Sequence, residues 1–294
     1  MAKTPFLLQT QKEIVMTKQS VRRMLLLLTS ITGLLLSRPH LAGEGFSMPT
    51  DAPFYPAPPY QYRDGWSFTI PFRTNAQVLR KLVPEPLTPN KDSIMVLSLH
   101  RWKITTPFTL EYHEAILSAP VTFQEKAGTY MVYLYLDDAV AIVAGREIWG
   151  FPKKNAVIKL VEQQGTLQAT VERGGVTLVR ASMPLGKLVR ENSEQPDSDY
   201  FNLKLIPSAN KGGPPDVMQL TSARGVDQKL KAMCTGKAAV TLSGTTTDPL
   251  QHIPMLEVLE ASYSQSDFVL TYGEILHDYL KQRATVTATT PSSK

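Results

Sequence analysis

The sequence has a single cysteine and lacks the motifs of several common reaction classes. Cys234 alone cannot form an intrachain disulfide, and no cysteine cluster is available to hold a metal ion. The chain has no Gly-rich phosphate loop, no G-x-S-x-G nucleophile turn and no H-E-x-x-H helix, and its five histidines are scattered. We therefore expect no metal site. We also expect a reaction other than the hydrolysis or phosphate transfer that those motifs perform.

Outside its first segment, the chain has no excess of either charge. The whole sequence carries 31 basic and 26 acidic residues, a net charge of +5. Residues 1–42 contain six basic residues and one acid, so the remaining 25 basic and 25 acidic residues cancel. This balance gives no electrostatic reason to expect nucleic acid as a partner, or a membrane surface for the mature domain.

The first segment contains an apolar run that is too short for a typical membrane span. Thirteen residues without a charge, Met24–Leu36, follow Arg22 and Arg23. A basic stretch before an apolar run of this length is typical of a secretory signal peptide, whereas a spanning helix needs about 20 residues. We predict that residues 1–42 are a signal peptide and that the mature protein is exported, periplasmic or secreted. A retained N-terminal membrane anchor is the alternative.

Composition divides the rest of the chain into three parts. Residues 43–59 are rich in proline and predict an extended connector. Residues 60–282 alternate short apolar strands with turn residues, and residues 283–294 read as a disordered tail. The strands predict a single α+β domain built on a mainly antiparallel sheet, as a sandwich or a barrel, with a few short helices.

Three segments have the spacing of helices. Residues 75–83 place apolar side chains on one face, with Thr74 or Asn75 as a cap and Pro84 as a stop. Residues 139–150 predict a short buried helix that Gly150 ends, and residues 273–283 predict a closing helix.

The stretch GREIWGFPKK, Gly145–Lys154, places two lysines side by side. Taken alone, a PKK turn is typical of a solvated loop, but Ile148, Trp149 and Phe151 make its approach apolar. In an apolar pocket, burial and a neighbouring cation both favour a neutral amine. A neutral Lys153 amine can attack a ketone, and the resulting protonated imine accepts the electron pair released when a β-carboxylate leaves as carbon dioxide.

Several segments resemble the acetoacetate decarboxylase family, and they occur in the same order. GREIWGFPKKNA resembles the family's Schiff-base segment, and the resemblance extends from about Pro59 to Lys281. The other matching segments are PYQYRDGWSFTIPFRTNAQVLRKLVPEPL, EYHEAILSAPVTF, YLYLDDAVAIVAGRE, LKLIPS and EILHDYLK. The resemblance implies one α+β domain around a barrel-like, mainly antiparallel sheet, with the reactive lysine in its interior.

The resemblance also assigns roles to individual residues. It implies that Lys153 forms the Schiff base, that Lys154 is the adjacent activating cation, and that Glu114 orients groups or helps proton transfer. Arg146 and Glu147 match a "GRE" step that we interpret as structural, each with its own partner. No cofactor is required because the lysine is itself the carbonyl-reactive group, and a homo-oligomer is expected.

Two positions depart from the family pattern. The family's arginine in the loop before the first strand falls on Gly65, with Arg63 two positions earlier. Its second active-site glutamate falls near Leu97–Leu99, where no acid is present. We therefore expect the imine-forming groups to be retained and the groups that handle the substrate to differ, with a more apolar pocket for a larger keto substrate as one possibility.

Three functions are compatible with this sequence. The first is a carboxy-lyase that decarboxylates acetoacetate or a related β-keto acid through the lysine imine. The second is a Schiff-base aldolase-dehydratase, or another lyase, that acts on a different keto acid. The third is a non-catalytic binder of small molecules. The retained PKK favours the first two, whereas the changes at Gly65 and Leu97–Leu99 favour the second and third over a standard family member.

Overall fold

Strands dominate the part of the chain described by this computed structural model, residues 45–281. The predicted signal segment (1–42) and tail (283–294) lie outside the described residues, as does the start of the predicted connector. Two units divide at Phe54 and Tyr55. In the first unit, the described residues 45–54 form turns and bends. The second unit contains the strands and helices given below, and its first strand begins at Tyr60.

The bounds of the elements are as follows. The strands are β1 (Tyr60–Arg73), β2 (Thr88–Pro89), β3 (Ile94–Thr106), β4 (Leu110–Phe123), β5 (Lys126–Leu136), β6 (Lys153–Asn155), β7 (Val157–Gln163), β8 (Thr166–Arg173), β9 (Val176–Pro184), β10 (Val189–Gln195), β11 (Ser198–Ile206), β12 (Val217–Gly236), β13 (Ala239–Leu242), β14 (Glu257–Val258), β15 (Ala261–Thr271) and β16 (Ile275–Asp278). The helices are α1 (Ala76–Leu82), α2 (Ala139–Ala144), a π-helical turn (Gly145–Trp149) and a 3₁₀ turn (Leu250–His252).

The larger of two sheets closes on itself. Its hydrogen-bonded order runs β4-β3-β1-β15-β12-β11-β5, and β5 pairs again with β4. Most of these pairings are antiparallel, whereas β11 with β5 and β5 with β6 are parallel. A second sheet of four strands, β13-β9-β8-β7, contains the hairpins predicted at the QQGT and RGGV turns. The predicted α+β domain with a barrel-like, mainly antiparallel sheet is therefore confirmed.

Side chains alternate between the two faces of each strand, and this alternation separates the core from the interior of the closed sheet. On β1, Phe68 and Ile70 belong to the main hydrophobic core, whereas Ser67 and Thr69 line a cavity. On β3, Leu97 and Leu99 are in the same core. The side chains on the opposite face of β3 line the cavity, and they are Ser98, His100 and Trp102.

The short helices form where their caps predict them. Asn75 begins α1, and its side chain accepts hydrogen bonds from the backbone N–H groups of Gln77 and Val78. Asp138 caps α2 in the same way by accepting from Ala141 N–H. After the π-helical turn, Gly150 adopts a left-handed conformation with φ of 77°. A Cβ there would also lie 2.5 Å from Cα of Lys204, so both the conformation and the close approach require glycine.

The predicted closing helix over residues 273–283 is wrong for most of its described length. Residues Ile275–Asp278 form β16, which pairs with Gln219, Leu220 and Thr221 of β12. Helical conformation begins only at Tyr279. Pairing with a long neighbouring strand has overridden the helical spacing of the sequence. Among residues 45–281, no helix combines the length and apolar character needed to cross a bilayer.

Candidate active site

A cavity of about 300 Å³ lies within the closed sheet. Its wall combines aromatic side chains, hydroxyl groups and two residues with formal charge, Lys153 and Glu114. No other lysine, arginine, aspartate or glutamate among the described residues lines it. The two charged groups meet in the cavity: Lys153 Nζ is 3.1 Å from Glu114 Oε1, and each side chain is less than a tenth exposed.

Lys153 enters the cavity from the first position of β6. Its backbone lies opposite Leu134 of β5, and its Nζ donates a hydrogen bond of 3.1 Å to the carbonyl oxygen of Ala141. The ring centres of Phe151 and Tyr112 lie 5.4 and 5.8 Å from Nζ. The amine is thus held in an aromatic environment beside one carboxylate.

The GRE segment holds this lysine in place. Arg146 Nη1 donates to the carbonyl oxygen of Lys153 at 3.2 Å, whereas Glu147 Oε2 accepts from the Tyr55 hydroxyl at 2.5 Å. Each residue therefore has its own partner, as the sequence predicts. A Cβ on Gly145 would lie 2.6 Å from both Cδ and Cε of Lys153, so this glycine makes room for the lysine side chain.

Glu114 is oriented by a neutral donor. Its Oε2 accepts a hydrogen bond of 3.0 Å from the indole Nε1 of Trp102. Oε1 faces Lys153 Nζ, but the angle at that contact is not that of a hydrogen bond, and Oε1 has no hydrogen-bond partner among the described residues. This oxygen is buried, and its charged neighbour is the Lys153 amine.

Two tyrosines complete this end of the cavity. The hydroxyl oxygens of Tyr62 and Tyr112 are 3.1 Å apart, and either can donate to the other. Burial is the main cause that raises the pKa of both phenols above their usual range, and the Glu114 carboxylate contributes in the same direction. Both tyrosines are therefore neutral hydrogen-bonding groups at physiological pH.

The structure separates the two adjacent lysines. Consecutive strand residues point to opposite faces, and Lys154 Nζ lies on the other face of β6, where it donates to Asp248 Oδ1 at 2.9 Å and to the carbonyl oxygen of Thr247. Arg173 and Tyr135 also bond to the Asp248 carboxylate. Lys154 does not line the cavity and its charge is paired, so its predicted role as an electrostatic activator has no support in this geometry.

The two departures from the family pattern occupy the cavity in different ways. A Cβ on Gly65 would lie 2.5 Å from the ring carbons of Trp102, so the indole fills the space beside this glycine. Of the three residues Leu97–Leu99, only Ser98 faces the cavity. Arg101 and Lys103 are exposed, on the opposite face of β3. At these positions the structure has a serine hydroxyl and an indole ring, so the wall carries no charge there.

His100 and Trp102 are site residues that the sequence analysis missed. The His100 ring stacks on Trp102 with centres 4.4 Å apart, and both rings are buried. Burial lowers the pKa of His100 to about 3, so the imidazole is neutral at physiological pH. The alternation of "LSLHRW" contained the available signal, since leucines at Leu97 and Leu99 predict an opposite face formed by Ser98, His100 and Trp102.

Among residues 45–281, neither the single cysteine nor the acidic side chains form a metal site or a second reactive site. Cys234 is buried in the main hydrophobic core. No group of three or more histidine, cysteine, aspartate or glutamate side chains within residues 45–281 is arranged to hold a metal ion. The chemistry that this geometry supports is therefore that of an amine nucleophile beside a carboxylate, in a closed pocket of neutral hydrogen-bonding groups.

A buried lysine amine can serve as the nucleophile of enzymes that form Schiff bases with carbonyl compounds. Residues 47–280 match the family model for acetoacetate decarboxylase (ADC). The chain is 35% identical over 244 residues to acetoacetate decarboxylase 1 of Mesorhizobium japonicum, a match that covers 81% of this chain and 96% of that protein. The chain belongs to the acetoacetate decarboxylase family, and it is a carbon–carbon lyase of the carboxy-lyase type.

Solved structures have the same fold. The crystal structure of acetoacetate decarboxylase from Legionella pneumophila is similar with a TM-score of 0.70 and 28% identity, over 83% of this chain and 100% of that one. An enduracididine biosynthesis enzyme, solved with the condensation product of pyruvate and imidazole 4-carboxaldehyde, also has a TM-score of 0.70, at 20% identity, over 82% of this chain and 100% of that one. The second likeness shows the fold alone.

Asp248 generates a prediction about stability and pH. Burial alone would raise the pKa of this carboxyl, but hydrogen bonds from Lys154 and Thr247 outweigh it and lower the pKa below its usual value. The stabilisation is therefore present above about pH 4 and is lost as the pH falls through the lowered pKa. We expect Asp248→Asn to lower the free energy of unfolding by about 1–3 kcal/mol at pH 7, and by less in acid.

Urea unfolding at a series of pH values measures this difference. The matched control is Asp197→Asn, which breaks an exposed pair with Arg224 and should change stability by less than about 1 kcal/mol. Equal stability of the Asp248 variant and the natural protein at pH 7 would contradict the prediction.

Trp102 generates a second prediction. Trp102→Phe keeps an aromatic ring against His100 but removes the donor to Glu114, which leaves a buried carboxylate oxygen unpaired. We expect the free energy of unfolding to fall by about 1–3 kcal/mol. Trp66→Phe is the matched control, because Trp66 on the same sheet stacks on Tyr263 and lies on the other face of β1. The interpretation fails if the two variants lose the same stability.

Proposed function

We propose that this enzyme decarboxylates acetoacetate or a related β-keto acid through an imine on Lys153. The single observation that carries the proposal is the position of Lys153 Nζ, buried in the cavity 3.1 Å from Glu114 Oε1. The similarity to named acetoacetate decarboxylases over most of the chain supports the same reaction.

The proposed reaction begins with attack of the neutral Lys153 amine on the keto carbon. Loss of water gives a protonated imine, whose positive charge faces the Glu114 carboxylate. The bond to the carboxylate carbon then breaks, carbon dioxide leaves, and the electron pair moves toward the iminium nitrogen to give an enamine. Protonation of the enamine carbon and hydrolysis by water release the ketone and restore the amine.

Glu114 is suited to manage the protons of this sequence. Its Oε1 is next to the amine and has no hydrogen-bond partner within the described residues, while Oε2 is fixed by Trp102. In the proposal, Glu114 accepts a proton from Lys153 before the attack and returns it to the hydroxyl group that leaves as water. As a carboxylate again, it then stabilises the iminium charge. Tyr62 and Tyr112 supply neutral hydroxyl groups at the same end of the cavity.

A Schiff-base aldolase-dehydratase, or another lyase for a different keto acid, is the second candidate. One observation favours it: the positions that match the family's loop arginine and second active-site glutamate, Gly65 and Leu97–Leu99, carry no charge here. In such a reaction the keto acid would keep its carboxylate and its enamine would attack an aldehyde. The similarity to relatives named as decarboxylases argues against a non-catalytic binder.

We also propose that the protein is exported and assembles as a homo-oligomer. The charged and then apolar pattern of residues 22–36 supports export, with a retained anchor as the alternative. The oligomer is proposed from the resemblance to the family alone.

Borohydride trapping tests the proposed function. The protein is incubated with acetoacetate and sodium borohydride, and Lys153 is examined by peptide mass spectrometry. We expect an isopropyl group on Lys153 Nζ, because decarboxylation precedes reduction of the imine. An adduct that retains the carboxylate would favour the second candidate, and no adduct with any small keto acid would sink both enzymatic proposals.

Three variants make the trapping experiment specific. Lys153→Met should abolish the adduct, whereas Lys159→Met, on the exposed face of β7, should leave it intact. Lys154→Met decides the remaining question about the lysine pair. Because Lys154 is bonded to Asp248, we expect the adduct to persist in this variant. Its loss from a folded protein would restore an electrostatic role for Lys154.

Gly145→Ala tests the position of the amine without removing it. The backbone at Gly145, with φ of −63° and ψ of −39°, accepts alanine, so the contact falls on the flexible end of Lys153. We expect the protein to fold and the rate of trapping to fall on the order of 100-fold, as for a misplacement of about 1 Å. Gly186→Ala is the control, since its Cβ would make only an ordinary contact of 3.5 Å with Thr235 O. Equal trapping rates in the two variants would refute the positional argument.

A further inference from the structure

Part of the cavity wall beyond Lys153 and Glu114 is formed by the hydroxyl groups of serine and threonine side chains. Adjacent strands supply them in register: on β1, Ser67 lies opposite Ser264 of β15, and Thr69 lies opposite Ser98 of β3. The serine and threonine side chains that line the cavity on these strands and on β4 are Ser67, Thr69, Ser98, Ser118, Ser264 and Ser266. The imine chemistry proposed for Lys153 uses none of them.

His100 links two of these hydroxyls. Its Nδ1 is 2.8 Å from Ser67 Oγ, and its Nε2 is 2.8 Å from Ser98 Oγ. A neutral imidazole has one nitrogen that donates and one that accepts. One serine therefore accepts from the ring and keeps its own O–H free, whereas the other donates to the ring. Whichever tautomer is present, the pair of serines offers a ligand one donor and free acceptor lone pairs.

The charge of the cavity restricts what this wall can bind. Lys153 and Glu114 are the only described lining residues with formal charge, and they face each other. A second carboxylate or a phosphate at the hydroxyl wall would be buried without a counter-charge. An alkyl group would displace water from the hydroxyls and leave their hydrogen bonds unmade. A hydroxyl group on the ligand matches the wall, because it both donates and accepts.

The size of the cavity allows a longer substrate than acetoacetate. Its volume of about 300 Å³ is roughly ten times the ~30 Å³ that a water molecule takes up in the liquid. Acetoacetate is a four-carbon acid that fills only part of this space when its keto carbon is at Lys153 Nζ. The hydroxyl wall begins beside the reactive pair, because His100 lies opposite Glu114 in the register of β3 and β4.

We propose that the wall formed around Ser67, His100 and Ser98 is a subsite for an uncharged, hydroxyl-bearing tail of the substrate. The preferred substrate is then a β-keto acid longer than acetoacetate, with its tail hydroxyl bonded at this wall. The inference rests on the proposed function, because the tail is placed relative to a keto carbon at Lys153. His100 acts as a specificity residue that holds the two serines.

Three β-keto acids of similar length test the subsite: 6-hydroxy-3-oxohexanoate, 3-oxoheptanoate, which replaces the hydroxyl with a methyl group, and 3-oxohexanedioate, which carries a carboxylate there. The kcat/KM of carbon dioxide release is measured for each. We expect the hydroxylated acid to exceed the alkyl acid by about tenfold, which corresponds to one hydrogen bond of ordinary strength, and the dianionic acid to be the poorest. An alkyl acid that reacts as well as the hydroxylated one would overturn the proposal.

The kcat/KM of the hydroxylated acid is then divided by that of the alkyl acid, and this ratio is compared among variants. A general loss of activity lowers both values and leaves the ratio unchanged. His100→Phe keeps the ring on Trp102 but removes both nitrogens, and Ser98→Ala removes one hydroxyl. We expect the ratio to fall toward one in each. Ser182→Ala, on β9 and outside the cavity, should keep the ratio of the natural protein. If His100→Phe fails to fold, Ser98→Ala and Thr69→Val carry the comparison, and an unchanged ratio in both overturns the proposal.

A binding measurement separates this proposal from the proposed function. Calorimetry compares 5-hydroxypentan-2-one with hexan-2-one, the uncharged ketones that correspond to the first two acids. Tighter binding of the hydroxylated ketone, together with absence of any borohydride adduct, would support the subsite and refute the imine reaction. Equal binding of the two ketones, together with an adduct on Lys153, would refute the subsite and leave the imine reaction standing.

Discussion

The alternation of side chains along the strands of one closed sheet determines almost every feature of the site. It points Lys153 into the cavity and Lys154 to the opposite face, where Asp248 pairs with it. It buries Leu97 and Leu99 in the core and leaves Ser98 between them on the cavity wall. A shift of one residue in the register of β6 would exchange the two lysines, so the pairing of β6 with β5 fixes which lysine is available for chemistry.

The second constraint is the cost of placing an ion pair in that interior. Two buried charges are tolerated when their geometry is good and their other polar atoms are bonded. Here the partners of Lys153 and Glu114 are the carbonyl oxygen of Ala141 and the indole N–H of Trp102, which add no further charge. The site thus has no net charge. Gly145 and Gly65 leave the space that this pair needs. A Cβ on Gly145 would overlap with the Lys153 side chain, and a Cβ on Gly65 would overlap with the Trp102 ring.

The sequence predicted the fold class, the hairpins of the second sheet and the family, because these depend on local patterns and on segments that occur in a fixed order. It also brought Lys153 and Glu114 into one hypothesis through the family resemblance. The interpretation of Lys154 came from its position beside Lys153 in the sequence. In a strand, however, consecutive side chains point to opposite faces, so neighbours in sequence have different surroundings. His100 and Trp102 were missed because closure of the sheet turns the polar face of β3 into a cavity wall, and closure cannot be seen from one strand. The closing segment was misjudged because β12 offers an edge that helical spacing cannot reveal.

Apart from Lys153 and Glu114, the described residues that line the cavity are uncharged, and this affects both the binding and the loss of a substrate carboxylate. A substrate carboxylate that enters this cavity meets no lysine or arginine among the described lining residues except Lys153, whose positive charge becomes that of the iminium and faces Glu114. Its ground state is therefore poorly stabilised, whereas neutral carbon dioxide loses nothing on leaving, so the same lack of charge that weakens binding of the acid favours its departure. Affinity must then come from another part of the substrate. Hydroxyl groups around a neutral His100 provide it by hydrogen bonding, which selects substrates by the groups on their tails rather than by their total charge.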